Sequence, residues 1–306
     1  MARLGHDPTQ FTAQVLKVRG QVGSERVVLE LLGNGVDLVF KCRGQDTRAQ
    51  PFDAEIAATS RAWDILSGIT RFRCPRILSH SDRGGWMVQT HEPGLSAKKI
   101  LEIEQDNAQE AGEIRAEILT VAGSWLSAFH RAGPVERRTI HTATMHDHAD
   151  TTLASMLTKE IDADNAAVLR ALGASIATRV RFADTKQTRA SLLHGDFVPQ
   201  NLLIHKDQIT GLDFTAEHVG PNAHDQVKFM SRLYWDMPEP VVTVQDIEQD
   251  IHSFEAGYDG SISHDPAFGY LFPIQVLSDL AHPKCAGQRR ENLLALARVV
   301  VELPLA

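Results

Sequence analysis

The sequence has 306 residues, a formal net charge of −8, 43% hydrophobic and 23% charged residues, enough for one large or two moderate domains with real cores. The acidic balance argues against a general nucleic-acid binder. No apolar run reaches membrane-spanning length, and the opening MARLGHDPTQ carries no signal-peptide pattern. The scattered Cys42, Cys74 and Cys285 form no C-x-x-C pair, as expected of reduced thiols in a cytoplasm rather than a disulfide framework or zinc site.

Taken in chain order, Val15 to Arg19 reads as a first strand, Gly20-Gln21-Val22-Gly23-Ser24 as a turn, and Arg26 to Leu32 as a second strand with Val27, Leu29 and Leu31 alternating. The glycines of that turn fit either a plain hairpin or a flap that approaches phosphates closely. Asn34-Gly35 is a tight-hairpin pair, and Val36 to Arg43 follow as a third strand. Val36, Leu38 and Phe40 share one face of it, and Asp37, Val39 and Lys41 the other. Pro51 suits a first helical turn. Phe52, Ile56, Thr59, Trp63 and Leu66 then recur at helical spacing, with Glu55 flanking the stripe at about 60° and Asp53 further round. Pro75 to Ser79 and Trp86 to Thr90 read as two more strands around Ser81-Asp82-Arg83-Gly84-Gly85. His91-Glu92-Pro93-Gly94 breaks the chain.

Beyond Gly94 the pattern turns helical. Glu113 to Arg131 sets Ile114, Ile118, Val121, Trp125 and Phe129 on one face and ends near Gly133-Pro134, with His130 read as structural. Thr139 to Asp150, with His141, His146 and His148, reads as a solvated loop. Met156 to Arg181 reads as one or two helices, Lys186 to Arg189 as a basic solvated linker, and Val227 to Leu303 as helices.

The stretch that carries chemistry is Leu192 to Phe214, LLHGDFVPQNLLIHKDQITGLDF. Leu202 to Ile204 and Ile209 to Leu212 read as the arms of a hairpin around His205-Lys206-Asp207-Gln208. Antiparallel pairing then brings Asn201 at its entrance beside Asp213 at its exit. An amide oxygen and a carboxylate there form a hard-oxygen pocket suited to Mg²⁺ bearing phosphate oxygens. Asp196 sits on the preceding loop, free to face a hydroxyl nucleophile, and the set matches the parts of phosphoryl transfer.

His194-Gly195-Asp196, Asn201 and Leu212-Asp213-Phe214 resemble the H-G-D-x-x-x-x-N, short hairpin and I-D-[FW] pattern of the aminoglycoside phosphotransferase and choline kinase superfamily, whose fold is similar to that of protein kinases. The resemblance implies an α+β, two-lobed protein-kinase-like fold. A small antiparallel β-sheet lobe with one helix, residues 1–91, would bind nucleotide. A larger, mostly helical lobe, residues 92–306, would carry the catalytic loop and an acceptor pocket. It implies ATP and Mg²⁺ as cofactors, with Asn201 and Asp213 on the metal. Lys41 would reach the inner phosphates, held by Glu55. Gln89 to His91 would meet adenine through the main chain, Asp196 would be the catalytic base, and His194 would support the loop. Asp225 matches a family aspartate that braces that loop, and Ser253-Phe254-Glu255-Ala256-Gly257-Tyr258 resembles a family F-x-x-G-Y helix. Asp236, Glu255 and Asp259 are candidates for the acceptor pocket.

The expected activity is an ATP-dependent small-molecule kinase acting on a hydroxyl of an amino sugar, amino alcohol or similar metabolite. The alternative is a nucleotide-binding regulatory module without phosphotransfer. Its partner is a small-molecule acceptor, not nucleic acid or membrane.

Overall fold

Runs of β-branched and aromatic residues make strands in the first third of the chain, and apolar residues at helical spacing dominate the remainder. The computed structural model describes residues 7–20, 25–33, 35–44, 52–103, 108–158, 162–216, 218–237 and 242–304. Most of the turn expected over residues 20–24, the Asn34 of the Asn34-Gly35 pair and Pro51 lie outside the described residues.

The first elements are β1 (Phe11–Arg19), β2 (Arg26–Gly33), β3 (Val36–Arg43), α1 (Asp53–Leu66), β4 (Phe72–Arg73), β5 (Ile77–His80), β6 (Trp86–Thr90) and β7 (Leu95–Ser96). Then come α2 (Ala97–Ile103), α3 (Ala108–Ala132), β8 (Val135–Thr139), α4 (Ala143–Leu157), α5 (Ala163–Ala183) and β9 (Gln187–Leu192). The chain closes with β10 (Leu202–His205), β11 (Gln208–Gly211), β12 (Val219–Pro221), α6 (Ala223–Trp235), α7 (Val244–Gly257), α8 (Pro266–Ala281) and α9 (Gln288–Val300). This is the mixed α+β class expected, with a β-rich unit holding one α-helix among the described residues and a mostly helical second unit.

The first compact unit comprises Met1–Ser96 with Asn201–Glu217. Its five-stranded antiparallel sheet runs β1-β2-β3-β6-β5. β1 starts at Phe11, ahead of the expected Val15. Lys41 lies opposite Met87, and Val39 opposite Gln89, so these four side chains share one face. Phe52 and Ile56 pack with Met87 in a buried cluster, which places α1 over that same face. The segment 201–217 was expected with residues 92–306 but clusters here. β4 pairs parallel with β11 and β7 antiparallel with β10, giving a second sheet of order β4-β11-β10-β7. Two-residue strands such as β4 and β7 leave no periodicity for a sequence to show. Gly94 makes the β7–β10 approach possible: its φ is +125°, and a Cβ there would sit 2.6 Å from the Ile204 carbonyl oxygen.

The second unit comprises Ala97–Gln200 with His218–Ala306. Trp125 stacks on Phe129 and Phe197, and Phe197 on Phe229. All four rings are fully buried and form its centre. A small sheet of order β12-β9-β8 lies in the same unit. The basic linker expected at Lys186 to Arg189 is instead largely strand β9. Thr188 and Ala190 turn inward while Gln187 and Arg189 face solvent, and the small size of the inward residues hid the alternation. The solvated loop expected over Thr139 to Asp150 is mostly helix: His146 and His148 lie in α4, and His141 just precedes it. Thr243 and Asp246 form a capping box that starts α7.

Candidate active site

In the first unit the hairpin forms as its sequence requires. Leu202 pairs with Gly211 and His205 with Gln208, leaving a two-residue Lys206-Asp207 connection. The pairing continues one step outward: the Leu212 N–H donates to the Asn201 carbonyl at 2.8 Å. Asn201 and Asp213 are therefore brought to the same end of the ladder. Asp213 adopts φ +58°, in the left-handed region. Aspartate tolerates this better than most residues, and the turn takes its carboxylate out of the strand direction.

That carboxylate meets Lys41. The ammonium of Lys41 lies 2.5 Å from Asp213 Oδ1 and 2.6 Å from Glu55 Oε1. Two carboxylates, from α1 and from the segment after β11, thus converge on the buried cation of β3. Burial alone would push the Lys41 amine down, but the Asp213 and Glu55 carboxylates outweigh it and hold it above its ordinary value. Lys41 is a fixed ammonium, only 7% exposed, on a face that can offer charge to an anion. An amide oxygen and a carboxylate oxygen are a hard donor pair, as Mg²⁺ prefers when phosphate and water supply its other ligands.

Gln89 is buried on the Lys41 face. The N–H of Thr90 donates to the Arg76 carbonyl at 3.0 Å, and that of His91 to the Asp37 carbonyl at 3.2 Å. The His91 ring lies 2.9 Å from Glu30 Oε1. Gln89 thus lies near the end of β6, two residues beyond the Met87 that faces Lys41, and His91 just past it.

In the second unit the loop His194-Gly195-Asp196 is held by α6. Asp225, 1% exposed, accepts the N–H of His194 at 2.8 Å and of Gly195 at 2.9 Å. His130 Nε2 lies 3.1 Å from Asp225 Oδ2, and His130 Nδ1 is 2.9 Å from the Tyr258 hydroxyl. Asn222 donates to that hydroxyl at 2.9 Å, which leaves the phenol proton for His130 Nδ1 and the Nε2 proton for Asp225. Burial would raise the Asp225 pKa, yet these donors prevail and the net shift is downward. Burial pushes the Tyr258 phenol up to about 12, so it keeps its proton. His130 is structural, as its place at the end of a long helix implied.

His194 is fully buried among Trp125, Phe129 and Phe197. Its Nδ1 accepts the N–H of Asp196 at 3.3 Å. Gly195 has φ +83°, which a side chain would resist. The Asp196 side chain is 38% exposed, and the Lys228 ammonium lies 2.8 Å from its Oδ1. Lys228 also donates to the Gly195 carbonyl at 2.8 Å. Sequence reading missed Lys228. Its position one helical turn after Asp225 puts both on one face of α6, and that spacing was the available signal.

The three acids considered for acceptor recognition have partners within their own unit. Asp236 pairs with Lys98 and, at 2.7 Å, with Arg289. Glu255 accepts from Ser261 and from the Ser263 N–H. Asp259, well exposed, pairs with Arg131 at 3.0 Å.

No curated protein matches the chain in sequence. Among solved structures it is similar to a choline/ethanolamine kinase family protein from Mesorhizobium loti, at 15% identity, 99% of this chain, 94% of that one and a TM-score of 0.57. It is also similar to a glucosamine kinase, at 17% identity, 99% and 83% coverage and a TM-score of 0.61. A third likeness is to an aminoglycoside phosphotransferase in ternary complex with ADP and hygromycin B, at 12% identity, 96% coverage of both chains and a TM-score of 0.60. These likenesses show a shared kinase-like fold. A model of the phosphotransferase enzyme family, APH, matches residues 20–260, most of the sequence, and the chain belongs to that family.

Proposed function

We propose that the chain is an ATP-dependent small-molecule kinase that transfers the γ-phosphoryl group to a hydroxyl. The observation that carries this reading is the Lys41 ammonium fixed at 2.6 and 2.5 Å by Glu55 and Asp213, side chains 14 and 172 residues away in sequence. Buried charge is costly unless paired, and a cation kept at that cost beside a hard-oxygen pair suits the inner phosphates of a nucleotide. Asn201 and Asp213 would hold Mg²⁺, which when bound offsets the charge of the phosphate oxygens. Glu55 orients Lys41. Asp196 aligns the acceptor hydroxyl and takes its proton as the new oxygen–phosphorus bond forms and the bond to the ADP leaving oxygen breaks. His194 holds the Asp196 main chain. Gln89 and His91, at the end of β6, are assigned to the adenine side. Residues 1–91 serve the nucleotide, and residues 92–306 supply the metal-holding Asn201 and Asp213, the catalytic loop and the acceptor pocket, in a cytoplasmic protein.

Relatives in fold include a glucosamine kinase and a structure with hygromycin B. They favour an amino sugar, amino alcohol or similar metabolite as acceptor. A nucleotide-binding module without phosphotransfer would have no use for Asp196, whose loop is braced from two sides by α6. The test is ADP release from Mg²⁺-ATP across a panel of hydroxyl acceptors, with Asp196→Asn in parallel. Acceptor-dependent ADP release by wild type, lost in the variant, supports the kinase. Equal rates in the two proteins would remove Asp196 from the chemistry.

A further inference from the structure

We infer that Lys228 is a positioning residue for Asp196, a role that rests on the proposed kinase activity. α6 presents two opposite charges, one turn apart, to the same three-residue loop. The Asp225 carboxylate collects the N–H groups of His194 and Gly195. The Lys228 ammonium collects the Gly195 carbonyl and the Asp196 carboxylate, both at 2.8 Å. Donors and acceptors of the loop are thus held from one helix, and of these two side chains it is Lys228 that reaches the Asp196 carboxylate.

The two arms differ in burial. Asp225 is sealed in the core, while the Lys228 and Asp196 side chains are 26% and 38% exposed. An ion pair that wet adds little to stability. Its value lies in geometry: a charge-assisted hydrogen bond narrows the rotamers open to a half-exposed carboxylate. The second bond, to the Gly195 carbonyl, anchors the ammonium to the backbone beside the residue it orients. Lys228 therefore sets where Asp196 points, and the loop's fold does not depend on it. A small displacement of a catalytic group costs rate on the order of 100-fold.

The experiment measures ADP release from Mg²⁺-ATP, with water as the probe acceptor, in the full chain. Lys228→Met lowers kcat about 100-fold and leaves the KM for ATP within about threefold, with an unchanged thermal midpoint. Lys228→Gln keeps a donor for Gly195 without the charge, and it is as slow as Lys228→Met. Lys228→Arg recovers most of the rate. Because Lys228 acts through Asp196, the Asp196→Asn/Lys228→Met double variant is no slower than Asp196→Asn alone. Wild-type kcat in Lys228→Met, or a double variant slowed by the product of the two single effects, overturns the role while the kinase reading stands. A wild type that releases no ADP with water or with any member of the hydroxyl-acceptor panel overturns both.

Discussion

Two ion pairs of similar length sit in different surroundings. In the first unit the Lys41 side chain is 9% exposed and is held by the largely buried Glu55 carboxylate and the half-exposed Asp213 carboxylate. In the second, Asp196 is 38% exposed and paired with the Lys228 ammonium. Breaking a buried pair strands a charge away from water, whereas breaking a wet one hands both charges back to solvent. The Lys41 cluster therefore contributes to stability as well as forming the proposed nucleotide site. The exposed pair, proposed to serve the chemistry, adds little to stability, and its loop is held by the separate, sealed Asp225 network. Removing single members of the two networks shows whether burial sets this difference.

The largest loss of stability is expected at Asp225. Asp225→Ala leaves two loop N–H groups and His130 without their acceptor, and costs about 3–5 kcal/mol by chemical denaturation. The contribution has a pH signature. The Asp225 pKa is depressed below its ordinary 3.8, so its stabilisation is fully present above about that pH and is lost as pH falls through the lower folded value. The gap between wild type and Asp225→Ala is constant from neutrality down to about pH 4 and narrows only below that. A gap that closes between pH 7 and 5 would contradict the assignment.

Lys41→Met comes next, at about 1–3 kcal/mol, because it strands the Glu55 carboxylate, whose side chain is 14% exposed, while that of Asp213, 42% exposed, regains water. A cost near zero, as for a surface pair, would mean that the cluster is not a buried knot. Gly94→Ala ranks third, at about 1–3 kcal/mol, since its backbone is left-handed and a methyl would meet the Ile204 carbonyl. This variant loosens the β7–β10 pairing and spares Asp196. The smallest change in stability is at Asp196→Asn, within about 0.5 kcal/mol, yet it lowers turnover by a factor of roughly 10² to 10⁴. Stability and rate thus separate at Asp196 and coincide at Lys41.

How far each feature could be read from sequence depends on its physical range. The hairpin was legible because two apolar runs flank the polar stretch 205–208, although His205 and Gln208 join the ladder and only Lys206-Asp207 form the turn. Glu55 was legible because helical spacing places it beside the buried stripe, from which it reaches Lys41. The brace on Asp225 came from the resemblance. Lys228 was missed because its one local signal, the one-turn spacing from Asp225, does not set it apart from a solvated helix lysine until the loop is seen against α6. β8 was invisible because all five of its residues are exposed, and polar strands carry no alternation. β4 and β7, two residues each, exist only through partners distant in sequence. Their pairing moves the Asn201–Glu217 segment into the first unit, a result no local pattern encodes.

Whether Lys41, Asn201 and Asp213 form a metal-nucleotide site can be decided by a thermal titration with Mg²⁺-ATP on wild type and Asp213→Ala. Ligand at about 100 times its Kd adds roughly 2.7 kcal/mol. At about 2.1 cal/mol/K per residue that is a rise in Tm of about 4 °C for a chain of this length. The expected outcome is this rise in wild type and its loss in Asp213→Ala. An equal rise in both proteins, or none in wild type, would contradict the site.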